Sequence, residues 1–254
     1  MLKISIVTVC YNSETTIEAC IQSVITQDYA NIEHIIVDGN STDNTMKLIL
    51  RYKEKITNII CEPDNGIYDA MNKGFYASTG DIVAFLNSDD TYYHSKVLSL
   101  VAGNFRKDID FVYGNIKFFN SDGEIVRSWR AGYSCERSVK SRQIPHPAFF
   151  IRRKTLGLLG CPFDPQLKIS ADLKQQLILI DKLQIRGCYL DHFLVRMKLG
   201  GESTKSLNAR IFGWKESITA YNDIFGSGGY LFLVRKIFFK LGGKRIKLYN
   251  KSKK

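Results

Sequence analysis

The sequence lacks any apolar run long enough to cross a membrane, and its first residues show no leader pattern. No stretch of the 254 residues reaches the roughly 18 to 20 apolar residues that a transmembrane helix needs. The opening MLKISIVTVCYN enters a strand pattern almost at once, without the apolar core and small-residue cleavage site of a signal peptide. We therefore expect a cytoplasmic protein.

Paired cysteines and C-terminal acidic residues are missing as well. The six cysteines are scattered and none forms a CxxC pair, so we expect reduced thiols and no zinc site. After Asp223 the chain has no acidic residue but nine Lys and Arg residues. Because the net charge of the whole chain is +11, the rest of it is close to neutral. That split argues against a protein whose body binds nucleic acid.

Strand-like and helix-like segments alternate through the first third of the chain. Runs of β-branched residues predict strands at 4–9, 32–38, 56–62 and 81–86. The segments between them have the periodicity of amphipathic helices, so we expect an α/β fold with a Rossmann-like, mostly parallel central sheet flanked by helices. The polar strand ends should meet at the carboxyl edge of that sheet, where ligands bind.

The pattern changes after residue 110. FVYGNIKFF and EIVRSWR flank NSDG, which indicates a β-hairpin. Helices are predicted over 169–184 and 207–223, with strand character over 188–199.

The segment VAFLNSDD ends a buried strand in two adjacent carboxylates, Asp89 and Asp90. Asp is favoured in turns, so plain turn residues are one interpretation. A divalent-metal site is the other, since Mg²⁺ and Mn²⁺ take carboxylate oxygens and keep positions for substrate phosphates. Asp38 ends another strand at the same predicted edge, and this location favours the metal site.

Three ordered stretches, SIVTVCYNSETTIEACIQSVITQ, IEHIIVDGNSTDNT and DNGIYDAMNKGFYASTGDIVAFLNSDD, resemble the nucleotide-sugar-binding half of a family 2 glycosyltransferase with the GT-A fold. GIYDAMNKG is most similar to enzymes of bacterial surface polysaccharide synthesis, including colanic-acid-type transferases. The resemblance continues more weakly through IPHPAFF, SADLKQQL and GGES. It implies a nucleotide-sugar-binding half at 1–125, an acceptor-side half of the same catalytic domain at 126–223, and a basic amphipathic tail at 224–254.

The resemblance also assigns roles to residues at the donor. Asp38 matches the carboxylate that hydrogen-bonds the uracil or guanine base, a role that suits an acceptor facing a ring N–H. The other residues placed at the donor are Thr8, Val9, Tyr11, Asn12, Asn65, Asn72, Lys73, Asn87 and Ser88. For Lys73, an i,i+4 helix pair with Asp69 is the alternative. The family's Asp-x-Asp motif reads Asn87-Ser88-Asp89 here, which leaves Asp89 to bind Mn²⁺ or Mg²⁺, with Asp90 in support.

On the acceptor side, the resemblance makes Asp172 of SADLKQQL the general base that deprotonates the acceptor hydroxyl. The alternative is a first-turn helix charge, and the preceding residue, Glu in many relatives, is Ala171 here. His146 lies between two prolines and is predicted either to contact a substrate or to pack as a structural histidine. Gly201 and Ser203 of GGES match a loop near the phosphates.

The predicted function is metal-dependent, inverting hexosyl transfer from a UDP- or GDP-linked sugar to a hydroxyl of a glycan acceptor, carried on a lipid in relatives of this kind. A nucleotidyltransferase acting on a sugar phosphate would need a Gly-rich basic loop after the first strand, and CYNSETT is not one. A non-catalytic nucleotide-sugar-binding protein is the third possibility, against which Asp38, Asp89 and Asp172 argue.

The tail GYLFLVRKIFFKLGGKRIKLYNKSKK mixes large apolar residues with cations. We expect it to form an amphipathic helix that binds an anionic membrane and holds the protein at the inner face of the cell membrane. Packing of its apolar residues on the catalytic domain is the alternative.

Overall fold

The computed structural model describes residues 1–120, 122–199 and 207–238. The strands are β1 (Ile4–Cys10), β2 (Ile32–Asp38), β3 (Asn58–Cys61), β4 (Ile82–Phe85), β5 (Thr91–Tyr92), β6 (Phe111–Phe119), β7 (Ile125–Trp129), β8 (Phe149–Arg152) and β9 (Gly187–Lys198). The α-helices are α1 (Ile17–Ile25), α2 (Thr45–Leu50), α3 (Ile67–Ala77), α4 (Val97–Asn104), α5 (Arg153–Leu156), α6 (Ala171–Gln176) and α7 (Leu207–Phe225). Gly201, Ser203 and the part of the tail after Phe238 lie outside the described residues.

The described strands form one nine-stranded sheet in the order β3-β2-β1-β4-β8-β6-β9-β5, with β7 paired to β6. β1 pairs in parallel with β2 and β4, and β2 with β3. β8 lies antiparallel between β4 and β6, while β9 runs parallel to β6. The carboxyl ends of β1, β2, β3, β4, β6 and β9 therefore all lie at one edge. The predicted α/β sheet and its polar carboxyl edge are confirmed.

Both faces of the sheet are covered, which explains why the central strands β1 and β4 are mostly apolar. In β1, Val7 and Val9 pack in the core formed with α3 and α6. The alternate residues Ile4 and Ile6 pack on the opposite face, in the core formed with α1 and α4. Helix α3 comes very close to β1 because residue 74 is glycine. A Cβ there would lie 2.2 Å from Val7 Cγ1.

Two predicted helices are shorter in the structure. Only residues 45–50 of the predicted helix at 41–55 form an α-helix, because Ser41 and Asp43 accept hydrogen bonds from the loop between β1 and α1. The predicted helix at 169–184 is α6 followed by a π-helical turn, Leu177–Lys182, in which the Leu183 amide bonds to the Ile178 carbonyl. Leu177, Leu179 and Ile180 of this turn are buried.

The predicted hairpin and the helix predicted near residue 207 are confirmed. β6 and β7 form the hairpin around residues 120–124, and α7 covers the helix expected over 207–223. All six cysteines are free. Among the described residues, no helix combines the length and the apolar character that crossing a membrane requires.

The tail begins as a helix over residues 229–238. Phe232 is buried and stacks on Tyr221 of α7 with ring centroids 4.7 Å apart. Val234 and Phe238 remain exposed. The start of the tail is thus helical as expected, and it packs on the domain through Phe232, as the alternative interpretation holds.

Candidate active site at the carboxyl edge

Asp38 ends β2 between two cysteines, because Cys10 of β1 and Cys61 of β3 are its neighbours in the parallel register. It is fully buried. Its Oδ1 accepts hydrogen bonds from the Ser41 hydroxyl at 2.5 Å and the Cys10 thiol at 3.4 Å. Its Oδ2 accepts from the Ser41 main-chain N–H at 2.8 Å and the Cys61 thiol at 3.4 Å. Burial, reinforced by Asp38, raises the pKa of Cys10 well above its usual range, so this thiol stays a neutral donor.

Gly39, the next residue, lies between Tyr11 and Asp64. A Cβ at Gly39 would lie 2.5 Å from Asp64 Oδ2 and 3.5 Å from Tyr11 Cδ2, so a larger residue here would displace the Asp64 side chain. The Tyr11 side chain is exposed, and Asp64 Oδ1 accepts a hydrogen bond from the Gly66 N–H at 2.8 Å. Asp64 is the first residue of the DNGIYDAMNKG stretch, but no role was predicted for it. The predicted donor residue Tyr11 does lie at the edge, beside the residue that follows Asp38.

The other predicted residues of the first strand point elsewhere. Thr8 is buried, with its hydroxyl 3.1 Å from Nε2 of His34, and Val9 lies in the core. Their side chains therefore do not reach the edge, which restricts any donor contact to their main chain. Asn12 adopts a left-handed conformation, φ 48°, and its Oδ1 accepts from the Thr42 N–H at 2.9 Å. Asn12 thus joins the loops that follow β1 and β2.

The structure corrects the expectation for Asn72. Its Nδ2 donates to the Phe163 carbonyl at 2.7 Å and its Oδ1 accepts from the Phe163 N–H at 2.9 Å. Nδ2 also contacts the Cys161 thiol at 3.3 Å. Asn72 is buried and clamps this distant loop to α3, so its amide is not available to a donor.

The Lys73 side chain of α3 contacts the loop between β3 and α3, in agreement with the structural alternative. Its Nζ donates to the Pro63 carbonyl at 2.7 Å and pairs with Glu62 at 2.9 Å and Asp69 at 3.8 Å. Asp69 in turn accepts from the Asn65 N–H at 2.9 Å, which fixes the start of the helix. These contacts hold Lys73 and Asn65 in the loop structure, and phosphate binding by Lys73 would require those pairs to break.

The NSDD segment contains oxygens without hydrogen-bond partners in the described structure. They are Oδ1 of Asn87 and both carboxylate oxygens of Asp90, all of them buried. Burial raises the pKa of Asp89, and burial together with Asp89 raises the pKa of Asp90 well above its usual range. The nearby main-chain N–H of Lys198 opposes the shift in the pKa of Asp90, although it does not reach hydrogen-bond geometry. Ser88 is buried and bonds to the Ser13 hydroxyl at 2.9 Å.

These oxygens suit a hard divalent cation, which prefers oxygen ligands and would satisfy groups that protein interiors seldom leave unpaired. Across residues 1–120, 122–199 and 207–238, no three His, Cys, Asp or Glu side chains come together as a metal cluster. A cation held by Asp89 would therefore take most of its ligands from substrate phosphates and water, as Mg²⁺ usually does.

Asp172 lies in the first turn of α6, and each of its carboxylate oxygens has a hydrogen-bond partner. Oδ2 accepts from the Gln143 side-chain amide at 2.8 Å, and Oδ1 lies 3.2 Å from the Tyr68 hydroxyl. That hydroxyl also donates to the Ile169 carbonyl at 2.8 Å, so its single hydrogen is shared. Tyr68 belongs to α3 and thus links the donor-side helix to Asp172. Gln143 was not predicted.

His146 packs beside this carboxylate. Its ring stacks on Phe85 at 5.6 Å and meets the edge of Phe163 at 5.5 Å. Both ring nitrogens are buried and have no hydrogen-bond partner among the described residues. Burial lowers the pKa of His146, while the nearby Asp172 opposes the shift. The packing matches the structural alternative, although the ring lies close to Asp172.

Comparison with known proteins decides the family of this chain. Residues 5–159 match the family described as glycosyl transferase family 2. The chain belongs to glycosyl transferase family 2. The predicted resemblance is therefore confirmed over more than half of the sequence.

Curated relatives of this family 2 chain are named as glycosyltransferases. The PGL/p-HBAD biosynthesis glycosyltransferase of Mycobacterium tuberculosis is 30% identical over 177 residues, 66% of this chain and 66% of the relative. The UDP-Glc:alpha-D-GlcNAc-diphosphoundecaprenol beta-1,3-glucosyltransferase WfgD of Escherichia coli is 34% identical over 164 residues, 63% of this chain and 64% of the relative. The matches thus span slightly less than two thirds of the relatives' length.

Solved structures show that the fold is GT-A. S. aureus TarS in complex with UDP-GlcNAc superposes with a TM-score of 0.72 and 18% identity, over 95% of this chain and 73% of that chain. The mannosyltransferase PcManGT of Pyrobaculum calidifontis, in complex with GDP-Man and Mn²⁺, superposes with a TM-score of 0.67 and 17% identity, over 94% and 70%. The GT-A fold predicted from the sequence is confirmed.

A buried glutamate holds the start of α6 in this family 2 glycosyltransferase. The Glu216 carboxylate of α7 accepts from the main-chain N–H groups of Lys168, Ile169 and Ser170 at 2.7, 2.8 and 2.9 Å. These amides directly precede α6, where a negative charge is also favoured by the helix dipole. Glu216 thus fixes the segment that presents Asp172. No sequence signal marks it, because its partners lie more than 40 residues away.

Glu216→Gln should lower the free energy of unfolding by about 2 kcal/mol, because the amide nitrogen would face N–H donors and leave at least one of them unpaired. Urea denaturation followed by circular dichroism measures the change. Glu54→Gln is the matched control, since the Glu54 side chain is 85% exposed and should change stability by less than about 0.5 kcal/mol. Equal stability of the two variants would contradict this role of Glu216.

A second polar cluster lies at the middle of β6 and in the first half of β9. Oδ1 of Asp191 accepts from the Asn115 side chain at 2.9 Å, from the Tyr189 hydroxyl at 3.1 Å and from Arg130. Within the described residues, no hydrogen bond to Oδ2 is present. Tyr133 is exposed and packs its ring edge against Tyr189 at 4.8 Å. The cluster therefore presents an oriented carboxylate beside an exposed aromatic ring.

Proposed function

We propose that this protein is a metal-dependent, inverting glycosyltransferase that moves a hexosyl group from a UDP- or GDP-linked sugar to a hydroxyl of a glycan acceptor. The observation that carries the proposal is the placement of Asp38 and Asp89 on either side of the carboxyl end of β1. A nucleoside diphosphate laid across that strand end would meet one carboxylate at its base and the other at its phosphates. The likeness to structures that hold UDP-GlcNAc and GDP-Man supports a nucleotide-sugar donor.

On the donor side, the Asp38 carboxylate accepts a hydrogen bond from the ring N–H of the base. Its thiol partners are weak donors, so an N–H can replace one of them at small cost. The exposed Tyr11 ring offers a stacking surface beside it. Asp89 and the amide oxygen of Asn87 would hold the cation. A bound divalent cation neutralises charge on the departing diphosphate.

On the acceptor side, Asp172 is the general base. The acceptor hydroxyl attacks the anomeric carbon as the bond to the diphosphate breaks, the hydroxyl proton moves to Asp172, and the nucleoside diphosphate leaves. A single displacement inverts the anomeric configuration, through a transition state of oxocarbenium character. Gln143 and Tyr68 orient the carboxylate, so its reactive oxygen is positioned before the acceptor arrives.

The acceptor is a glycan carried on a lipid, presented at the inner face of the membrane. The name of WfgD describes transfer to a sugar linked through diphosphate to undecaprenol, which supports this acceptor class. The Asp191 cluster suits the acceptor sugar, because carboxylates bind hydroxyls and an exposed tyrosine packs against a sugar ring. Residues 131–142 connect this cluster to Gln143, which contacts Asp172.

Asp191→Asn should reduce transfer about tenfold relative to donor hydrolysis, the effect of losing one charge-assisted hydrogen bond. The ratio of transferred to hydrolysed sugar, measured with a radiolabelled donor, reports this change. Asp108→Asn is the matched control, since it alters an exposed Asp before β6, at the opposite edge of the sheet. An unchanged ratio in Asp191→Asn would remove Asp191 from the acceptor side.

The function is tested by incubating the protein with a panel of UDP- and GDP-sugars and Mn²⁺ and identifying the phosphorus products by ³¹P NMR. We expect slow release of a nucleoside diphosphate from one donor. Release of nucleoside monophosphate would indicate nucleotidyl chemistry instead. Binding of a donor without any turnover would indicate a non-catalytic protein.

A further inference from the structure

The first half of α7 exposes a stripe of large apolar side chains. Leu207, Ile211 and Trp214 are 68%, 40% and 42% exposed, and Ile218 is half-buried. Their spacing of i, i+4, i+7 and i+11 places them within an arc of roughly 60° at about 100° per residue. A contiguous apolar stripe of this kind on the surface of a single chain marks an interaction site.

The charges around this stripe are of one sign. Arg210 and Lys215 are exposed and flank it on its two sides. The two acidic residues of the helix add no unpaired negative charge to this surface. Glu216 is buried at the start of α6, and Asp223 forms an ion pair with Lys174 at 2.9 Å. Trp among aliphatic residues, bordered by Arg and Lys, is typical of helices that lie in a membrane interface.

The opposite face of α7 is fixed to the catalytic domain. Gly213 lets the helix approach Ile169, where a Cβ would lie 3.0 Å from Cγ2, and Glu216 holds the amides before α6. The apolar stripe therefore points away from the body, while the inner face supports the segment that presents Asp172. A surface docked on α7 would lie on the acceptor side of the protein.

We propose that the stripe formed by Leu207, Ile211, Trp214 and Ile218 docks on an anionic lipid bilayer, an inference that rests on the proposed use of a lipid-linked acceptor. The charge pattern selects this partner. Nine cations and no acids follow Asp223 in the sequence, so anionic headgroups attract the same end of the chain. A second copy docked through the same stripe would instead bring Arg210 and Lys215 against their equivalents.

Docking is tested with the full chain and vesicles containing phosphatidylglycerol. We expect wild-type protein to co-sediment at low salt, and Leu207→Ser/Ile211→Ser to bind at least tenfold more weakly. Ile125→Ser/Leu158→Ser is the matched control, because these residues are 52% and 69% exposed elsewhere on the surface. Equal binding by both double variants would overturn the proposal.

The fluorescence of Trp214 shows whether the stripe enters the bilayer. In a Trp129→Phe background it is the remaining tryptophan of the chain, and brominated lipids should quench its emission. Vesicle binding without that quenching would place the anchor in the tail and overturn the proposal, as would a dimer in solution that Leu207→Ser/Ile211→Ser dissociates. Nucleoside diphosphate release measured without vesicles should be the same in all these variants. Its absence from wild-type protein would count against the proposed function and leave the vesicle result interpretable.

Discussion

Asp172→Asn should lower sugar transfer by about 10² or more, the usual scale of losing a general base, while donor affinity stays near the wild-type value. Asparagine has nearly the same shape and can still accept from Gln143 and contact Tyr68, so the first turn of α6 should be preserved. The asparagine amide cannot, however, take up the proton of the acceptor hydroxyl. Turnover of the donor identified in the nucleotide-sugar panel, together with calorimetric titration of that donor, separates the two effects.

A nearby carboxylate supplies the control for this experiment. Asp164 pairs with Lys174 of α6 at 2.8 Å and makes no contact with Asp172. Asp164→Asn should therefore retain most of the transfer activity while perturbing the same helix. Wild-type transfer by Asp172→Asn would exclude this residue as the base. Comparable losses in both variants would indicate disruption of α6 rather than of the chemistry.

Asp89→Ala should abolish the Mn²⁺-dependent part of nucleoside diphosphate binding and leave the fold intact. The half-buried carboxylate follows β4 at the sheet edge, next to oxygens that lack partners among the described residues. Because Asn87 replaces the first carboxylate of the family motif, Asp89 is the motif carboxylate that remains to bind the cation. Calorimetric titration of UDP and GDP, with and without Mn²⁺, measures the loss.

Asp28→Ala is a suitable control for Asp89→Ala. Asp28 is exposed and follows α1, near the amino end of β2 and far from the carboxyl edge. It should leave nucleotide binding unchanged at any Mn²⁺ concentration. Unaltered affinity in Asp89→Ala with Mn²⁺ present would show that the cation is held elsewhere or is not required.

The fold was predictable because its strands are buried on both faces. A strand such as β1, covered by helices on each side, is rich in apolar residues, and its β-branched run is visible without knowledge of its partners. The parallel register then brings Cys10, Asp38 and Cys61 to one level, so the placement of Asp38 at the carboxyl edge follows from strand order alone.

Side-chain partners distant in sequence could not be predicted in the same way. The helical spacing of Asn72 and Lys73 places them near the edge, but Phe163, 91 residues after Asn72, provides the partner that uses up its amide. Glu216 has no local pattern, since its ligands are main-chain amides of another segment. Irregular pairing between β6 and β9 around Asn115 brings Asp191 onto the same face, and no periodicity in the sequence announces such a bulge.

The most direct test of a cation bridging Asp89 and a nucleoside diphosphate is anomalous scattering from Mn²⁺ in crystals grown with UDP or GDP. We expect one strong anomalous peak within coordination distance of an Asp89 carboxylate oxygen. The diphosphate should bind the cation, and the base should lie next to Asp38. A peak away from the carboxyl end of β4, or a nucleotide bound at another edge of the sheet, would contradict this arrangement.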